Sequence, residues 1–210
     1  MAEPCQFATR VVAAGTIAVL SPLLLLVAVA IGLISREPVL FHQERVGRYG
    51  RPFRIHKFRT MRSRVDGPSV TAGGDARVTR LGALLRRFKI DELPQLFNVL
   101  KGDMNFVGPR PEVPRYVTLY SAAQRDIVLS VRPGITDLAS LTYIDESKLL
   151  ATASDPERYY LEFLMPAKLQ LAEAYVRGRS WWLDVRILTA TATGILGWRW
   201  IPSPYEAAAP

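Results

Sequence analysis

Hydrophobic and polar positions follow three different rhythms along this chain. The first is an apolar run: Val11 to Ile34 contains 24 residues and no charge, with Ser21-Pro22 near its middle. As a straight helix it would measure about 36 Å at ~1.5 Å per residue, enough to cross a bilayer. Proline there removes a backbone donor and crowds the preceding turn, so a kink is expected. A cleaved signal peptide fits poorly, because the run is long, only Arg10 is basic ahead of it and no convincing cleavage site follows. Hydropathy leaves both a kinked spanning helix and a re-entrant helix–break–helix open.

Short strands come next. Val39–Arg45 and Phe53–Phe58 are rich in β-branched and aromatic residues, and the intervening Gly47-Arg48-Tyr49-Gly50-Arg51-Pro52 carries hairpin punctuation. Lys57 and Arg59 close the second strand, where solvated edge charges would also be at home. His42 and His56 read as surface residues of the hairpin rather than metal ligands. Arg62–Gly74 is polar and glycine-containing, a mobile loop.

Helical spacing then takes over. Helices are predicted over Arg80–Phe88, over Gln124–Val131, and over Asp155–Arg177, with Pro156 just inside the start of the last. Trp181, Trp182, Trp198 and Trp200 bracket an apolar stretch that contains Arg186 and is too short to span a membrane. An interfacial helix and an ordinary core helix both satisfy that pattern. Pro202–Pro210 reads as a disordered tail.

The candidate chemistry lies between Lys89 and Glu112. Leu93, Leu96, Phe97 and Leu100 recur at i, i+3, i+4 and i+7, one apolar helix face, with Pro94 in the first turn and Lys101-Gly102 as the stop. Asp91 and Glu92 would then sit at the positive end of a short helix, which favours ionised carboxylates and phosphate nearby. A helix cap and a first-turn acid are the bland account of such a pair. Its neighbours argue otherwise: Arg77, Arg80, Arg86, Arg87 and Lys89 precede it with no acid among them, and Gly108-Pro109-Arg110-Pro111 follows as a stiff turn presenting one arginine. Carboxylates ringed by cations suggest an anionic substrate and a divalent metal.

Composition narrows the partners. A length of 210 residues suits one domain with a membrane appendage, and a net charge of +8 with a pI near 9.9 points to nucleic acid, anionic lipid or phosphorylated substrates. Cys5 is the only cysteine, so no disulfide can form within the chain, and no Cys/His cluster suggests structural zinc.

Six motifs in register carry a resemblance: Lys57-Phe58-Arg59-Thr60-Met61, Arg77-Val78-Thr79-Arg80-Leu81-Gly82, Asp91-Glu92-Leu93-Pro94-Gln95, Lys101-Gly102-Asp103-Met104, Gly108-Pro109-Arg110-Pro111 and Arg132-Pro133-Gly134-Ile135-Thr136. Over roughly residues 7 to 137 the chain resembles the bacterial sugar transferases, the monotopic phosphoglycosyl transferases. The resemblance implies an α+β, mostly helical fold: a membrane-inserted helix–break–helix over residues 1–36, a catalytic domain with a short hairpin and interfacial helices over 37–200, and a tail over 201–210. It implies transfer of a sugar-1-phosphate from a UDP-sugar to polyprenyl phosphate, with Mg²⁺, at the start of glycan assembly. Asp91 and Glu92 would be the catalytic and metal-binding pair, and Lys57, Arg59, Arg86 and Arg110 would bind substrate. Arg36 and the cations beyond it place the catalytic domain on the cytoplasmic face of the bacterial inner membrane.

The chain departs from the family's commonest pattern after Thr136. That pattern continues with Gly, Trp, Ala, Gln, Val and Asn-Gly-Arg, where this chain has Asp137-Leu138-Ala139-Ser140-Leu141-Thr142-Tyr143-Ile144. The missing arginine is a phosphate ligand in some relatives, and Asp137 cannot replace its charge. Two readings from other classes remain: a non-catalytic basic adaptor that binds anionic lipid, and a nucleic-acid-binding protein. The apolar N-terminal run and the lack of a recognition motif count against the second.

Overall fold

The computed structural model describes residues 6–35, 37–62, 71–198 and 200–202. Most of the loop expected over Arg62–Gly74, nearly all of the expected tail, and Arg36 lie outside the described residues. The architecture is α+β and mostly helical, with two small sheets and a long N-terminal apolar helix.

That helix, α1, runs without interruption from Gln6 to Ser35 and carries Pro22 inside it. A break at Ser21-Pro22 was the expectation, and the local chemistry shows why the helix persists. Pro22 cannot donate to the carbonyl of Ala18, four residues back. The Ser21 hydroxyl donates to that same oxygen at 2.8 Å and so replaces the missing bond. One stripe of α1 rests on the rest of the protein. Ala13 packs with Ile55, Val99 and Met104, while Val27 and Ile31 pack with Phe58 and Leu85. The N-terminal end is also tied down, by Arg10 donating to the Lys101 carbonyl at 3.0 Å. The opposite face, with Val19, Leu25, Leu26 and Leu33, is exposed and apolar.

The predicted hairpin is present. Strands β1 (Leu40–Val46) and β2 (Pro52–Phe58) pair antiparallel, with Leu40 opposite Phe58 and Val46 opposite Pro52. Helix α2 (Arg80–Arg87) follows, its first turn capped by the Thr79 hydroxyl, which accepts from the Gly82 amide at 2.9 Å. Gly82 is needed for contact, since a Cβ there would lie 2.2 Å from the Thr60 carbonyl oxygen. The end of β2 and the start of α2 are therefore held together across the intervening loop.

After α3 (Leu96–Lys101) comes a parallel pair that the sequence pattern did not suggest: β3 (Asn105–Val107) beside β4 (Gly134–Thr136). Three residues per strand are too few for an alternation to show. Helices α4 (Pro114–Val117) and α5 (Ala122–Val128) form the crossover between them, and α5 begins earlier than expected because Ser121 and Gln124 close a capping box. Helices α6 (Leu138–Thr142) and α7 (Glu146–Thr152) lead to the C-terminal layer.

The single helix expected over Asp155–Arg177 is α8 (Pro156–Tyr159), a π-helical turn (Tyr160–Leu164) and α9 (Met165–Gly178) in direct succession. Pro166 cannot donate to Glu162, and the ladder widens just ahead of it. Helix α10 (Trp181–Ile195) closes the chain with Leu183 and Ile187 buried against Val107, Leu138 and Tyr175. A second core gathers Val46, Tyr116, Val117, Tyr120, Val128, Leu150, Tyr160, Leu164, Met165, Leu169 and Ala172. Of the four tryptophans, Trp181, Trp182 and Trp198 are well exposed and Trp200 less so, so they are not core residues.

The approach of β4 to the turn after β3 makes a specific demand. A Cβ on Gly134 would lie 2.1 Å from the Gly108 nitrogen, and the nearest atoms are all backbone of Val107 or Gly108, with no flexible side chain to yield. Gly134→Ala is therefore expected to lower stability by about 1–3 kcal/mol, the usual range for forced overpacking. A thermal-unfolding midpoint equal to that of the parent protein would show that the two segments can move apart freely.

Candidate active site

The site is built where β2, the segment after α2 and the turn after β3 converge. Ile90–Gln95 forms a 3₁₀ segment, and α3 begins only at Leu96, so Asp91 and Glu92 lie ahead of the α-helix rather than in its first turn. Leu96 and Val99 are buried, but Phe97 and Leu100 are exposed, and polar Asn98 is fully buried in their place. The reason is the hairpin. The Asn98 amide oxygen accepts from the His56 backbone at 3.1 Å and its nitrogen donates to the Arg54 carbonyl at 2.7 Å. This pins α3 against β2 and turns the expected apolar face away from the core.

Asp91 and Glu92 are each only 8% exposed, yet their surroundings differ sharply. Lys57, at the end of β2, donates to Glu92 Oε1 at 2.7 Å. Arg110 grips both Glu92 oxygens with its two terminal nitrogens. Burial alone would push the Glu92 carboxyl up; Arg110 and Lys57 more than reverse this and hold it well below the usual range. Burial lowers the Lys57 ammonium, and Glu92 recovers only part of that shift. Arg110 is raised, chiefly by Glu92. Asp91 has the opposite balance: burial and then the Glu92 charge raise its carboxyl, against smaller pulls from Lys57, Arg86 and Lys89. Its Oδ1 is buried without a hydrogen-bond partner among the described residues.

The structure thus brings Lys57, Arg110, Asp91 and Glu92 together, with Arg86 within electrostatic reach of Asp91. The Arg86 guanidinium is steadied by its Nε, which donates to the Thr60 hydroxyl at 2.9 Å. Arg59 is not brought to this cluster. Just beyond the last residue of β2, it turns back and bonds to the carbonyls of Pro38 and Leu40, with Glu37 at 3.8 Å. Arg77 also faces elsewhere, in a bidentate pair with Asp75. His42 and His56 share one hydrogen bond between their Nδ1 atoms at 2.8 Å on the hairpin surface.

Arg110 is supported by residues to which the sequence pattern gave no such part. Asp137 caps α6, accepting from the Ser140 amide at 2.7 Å, and its other oxygen accepts from the Arg110 backbone at 3.2 Å. A residue that stands where the family's usual sequence differs therefore helps to hold the turn in place. Behind the turn, Glu112 accepts from Arg45 at 3.0 Å and from the Tyr160 hydroxyl at 2.6 Å. The Tyr160 phenol is raised by burial and by the adjacent Glu112. Glu112 ends the segment already singled out, but nothing in the linear sequence pairs it with Arg45 or Tyr160.

Could a divalent ion fit here? No group of three or more His, Cys, Asp or Glu side chains converges among the described residues. Mg²⁺ does not require one, because it is usually held by one or two carboxylates together with substrate phosphates. Glu92 already satisfies two cations, whereas the unpartnered Asp91 Oδ1 is a free oxygen donor. The described residues fit a Mg²⁺ that Asp91 anchors and the substrate completes.

A sequence model of the family described as "Bacterial sugar transferase" matches residues 6–197. The chain is 42% identical over 190 residues to UDP-glucose:undecaprenyl-phosphate glucose-1-phosphate transferase of Caulobacter vibrioides, covering 89% of this chain and 67% of the relative. It is 42% identical over 183 residues to UDP-N-acetylgalactosamine-undecaprenyl-phosphate N-acetylgalactosaminephosphotransferase of Aeromonas hydrophila, covering 84% and 40%. A UDP-glucose:undecaprenyl-phosphate glucose-1-phosphate transferase of Xanthomonas campestris pv. campestris matches at 39% over 182 residues, covering 84% and 35%. The chain spans about two thirds of the first relative and well under half of the other two.

The unequal surroundings of the two acids have opposite consequences for stability. With its folded pKa raised, Asp91 carries no penalty below the unfolded value of about 3.9 and a growing one as pH rises through the folded value. Asp91→Asn should therefore raise the thermal midpoint by a few degrees at pH 7, a gain that fades towards pH 4. Glu92→Gln should lower the midpoint at pH 7, because it strips Lys57 and Arg110 of their shared counter-charge. Thermal unfolding of both variants across that pH range checks the pair; destabilisation by Asp91→Asn at pH 7 would reverse the assignment.

Proposed function

Because the chain belongs to the bacterial sugar transferase family, we propose that it moves a sugar-1-phosphate from a UDP-sugar to polyprenyl phosphate and releases UMP. The observation that carries this reading is Asp91: a buried carboxylate with an unpartnered oxygen, beside cations that suit a diphosphate. A lipid-binding adaptor has no use for such a group.

In the proposed reaction an Asp91 oxygen attacks the sugar-bearing phosphorus. The bond from that phosphorus to the bridging oxygen breaks, UMP departs with the electron pair, and an aspartyl-phosphosugar remains. An oxygen of the lipid phosphate then attacks the same phosphorus. The bond to Asp91 breaks, the carboxylate is restored, and the product is a polyprenyl diphosphosugar. The raised pKa of Asp91 reflects a carboxylate poorly solvated by its surroundings, which favours nucleophilic attack once it is ionised. Lys57 and Arg110 would contact phosphate oxygens from the Glu92 side and Arg86 from the other, with the arginine fork matched to two oxygens. Glu92 orients Lys57 and Arg110. Mg²⁺, held by Asp91 and the substrate, would neutralise the diphosphate charge.

The reading also places the chain at the bacterial inner membrane, with its catalytic part on the cytoplasmic face. Support comes from α1, which is long and apolar enough to cross a membrane yet packs on the rest of the protein through both its N-terminal and C-terminal halves. A helix held in this way suits insertion into one leaflet with its apolar face in lipid, and exposed Trp181 and Trp182 suit the water–lipid boundary.

Topology is tested by cysteine labelling in intact inner-membrane vesicles, using native Cys5 in one protein and Glu37→Cys on a Cys5→Ser background in the other. Both positions should react from the cytoplasmic side alone; a periplasmic Cys5 would mean a spanning helix.

The chemistry is tested by incubating the protein with UDP-sugars and Mg²⁺ but no lipid acceptor. UMP should appear in an amount equal to enzyme, with one phosphosugar on the Asp91 peptide by mass spectrometry, and Asp91→Asn should abolish both. Lys57→Ala and Arg110→Ala should each reduce turnover about a hundredfold or more, the scale of losing a charged transition-state contact. Release of UDP would indicate transfer of the sugar without its phosphate. Absence of an adduct, with UMP formed only when both substrates are present, would replace the two-step route by direct attack of the lipid phosphate.

A further inference from the structure

Lys89 occupies a backbone position that lysine rarely takes. Its φ of 56° and ψ of 17° are left-handed, and Tyr49 is the only other non-glycine residue with positive φ among the described residues. The position is the C-terminal turn of α2, where the Lys89 amide donates to the Arg86 carbonyl at 3.1 Å. Glycine, or failing that asparagine, is the usual occupant of such a helix end, because a Cβ is strained there.

What lysine adds is a charge in a particular place. Lys89 lies two residues before Asp91, and its carbonyl accepts from the Glu92 amide at 3.2 Å, so its backbone is part of the turn that sets both acids. It is half-buried, and its charge pulls both the Asp91 and Glu92 carboxyls down, though less than Lys57 and the arginines do. Lys57, Arg86 and Arg110 each have a side-chain partner, in Glu92, Thr60 and Glu92 respectively. The Lys89 ammonium has no hydrogen bond or ion pair among the described residues. A cation at a helix C-terminus is mildly favourable in itself, and that would be the whole account if the residue faced only solvent. A half-buried side chain on the turn that carries both acids calls for more.

We propose that the Lys89 ammonium is a further phosphate-binding group of the Asp91–Glu92 site, retained in a strained backbone because the charge serves the anionic substrate. This rests on the reading of the site as one that receives phosphorylated substrates. The phosphate can be that of the nucleotide sugar or that of the lipid, and the two are separable by experiment.

Lys89→Gly relieves the strain and removes the charge, Lys89→Met removes the charge and keeps the strain, and Lys89→Arg keeps both. Lys89→Gly should unfold at a higher temperature than the parent protein. It should also bind inorganic pyrophosphate with Mg²⁺ about tenfold more weakly by calorimetry, the scale of one charge-assisted hydrogen bond. Lys89→Met should weaken pyrophosphate to the same extent, and Lys89→Arg should hold it near the parent affinity. Unchanged affinity in the Gly and Met variants, or equal loss in the Arg variant, would overturn the proposal. This readout needs no turnover, so it stands apart from the activity test: failure of the parent protein to release UMP would count against the proposed reaction alone. Where turnover is measured, a rise confined to the KM for UDP-sugar assigns the contact to the nucleotide diphosphate, and a rise confined to the KM for polyprenyl phosphate assigns it to the lipid.

Discussion

The Glu92 carboxylate, taken out of water and returned to ionic form by Lys57 and Arg110, is the constraint on which the site depends. A buried acid without counter-charges would protonate, and two half-buried cations without an acid would repel each other. Each of the three therefore requires the other two. They come from separate places in the chain: the end of a hairpin, a 3₁₀ segment and a turn after the first strand of a parallel pair. The cluster ties the hairpin to the second sheet, and it makes the geometry around Asp91 a consequence of folding rather than of substrate binding.

Rigidity at that cluster is inherited from behind. Arg110 is steered through its backbone by Asp137 and through its neighbour Glu112, which Arg45 and Tyr160 hold from two directions. The π-helical turn that follows α8 carries Tyr160. A local irregularity forced by Pro166 is thus coupled, through one phenol and one carboxylate, to an arginine at the site.

The sequence spoke clearly where a single segment decided its own structure. The hairpin, α2, the acidic pair and the basic residues around it all follow from spacing and residue type. It spoke less clearly where structure depended on a distant partner. Phe97 and Leu100 look like core positions until Asn98 is seen completing the hydrogen bonds of β2. The pairing of Asn105–Val107 with Gly134–Thr136 spans a crossover and leaves only a glycine as its trace. Arg59 and Lys57 sit two residues apart in one motif, yet the strand ends between them and sends the arginine back to the entry segment. Proline in α1 marked a break that a serine hydroxyl repairs.

Adjacent carboxylates on one turn repel each other, and the protein separates them by environment rather than by distance. Glu92 receives the cations that keep it charged; Asp91 is left to burial and to the field of its neighbour. The two acids are thereby given different roles before any substrate arrives, the general pattern by which paired carboxyls divide acid, base and nucleophilic work. Lys57, Arg86, Lys89 and Arg110 outnumber the two acids they surround. Such an excess is unfavourable in the empty site and is relieved by a ligand that brings two negative charges, which a diphosphate does. In the proposed reaction, affinity for the diphosphate and reactivity of Asp91 would share one electrostatic origin: the substrate would neutralise the cations that pull the Asp91 carboxyl down, and so leave the ionised carboxylate less stabilised and more reactive.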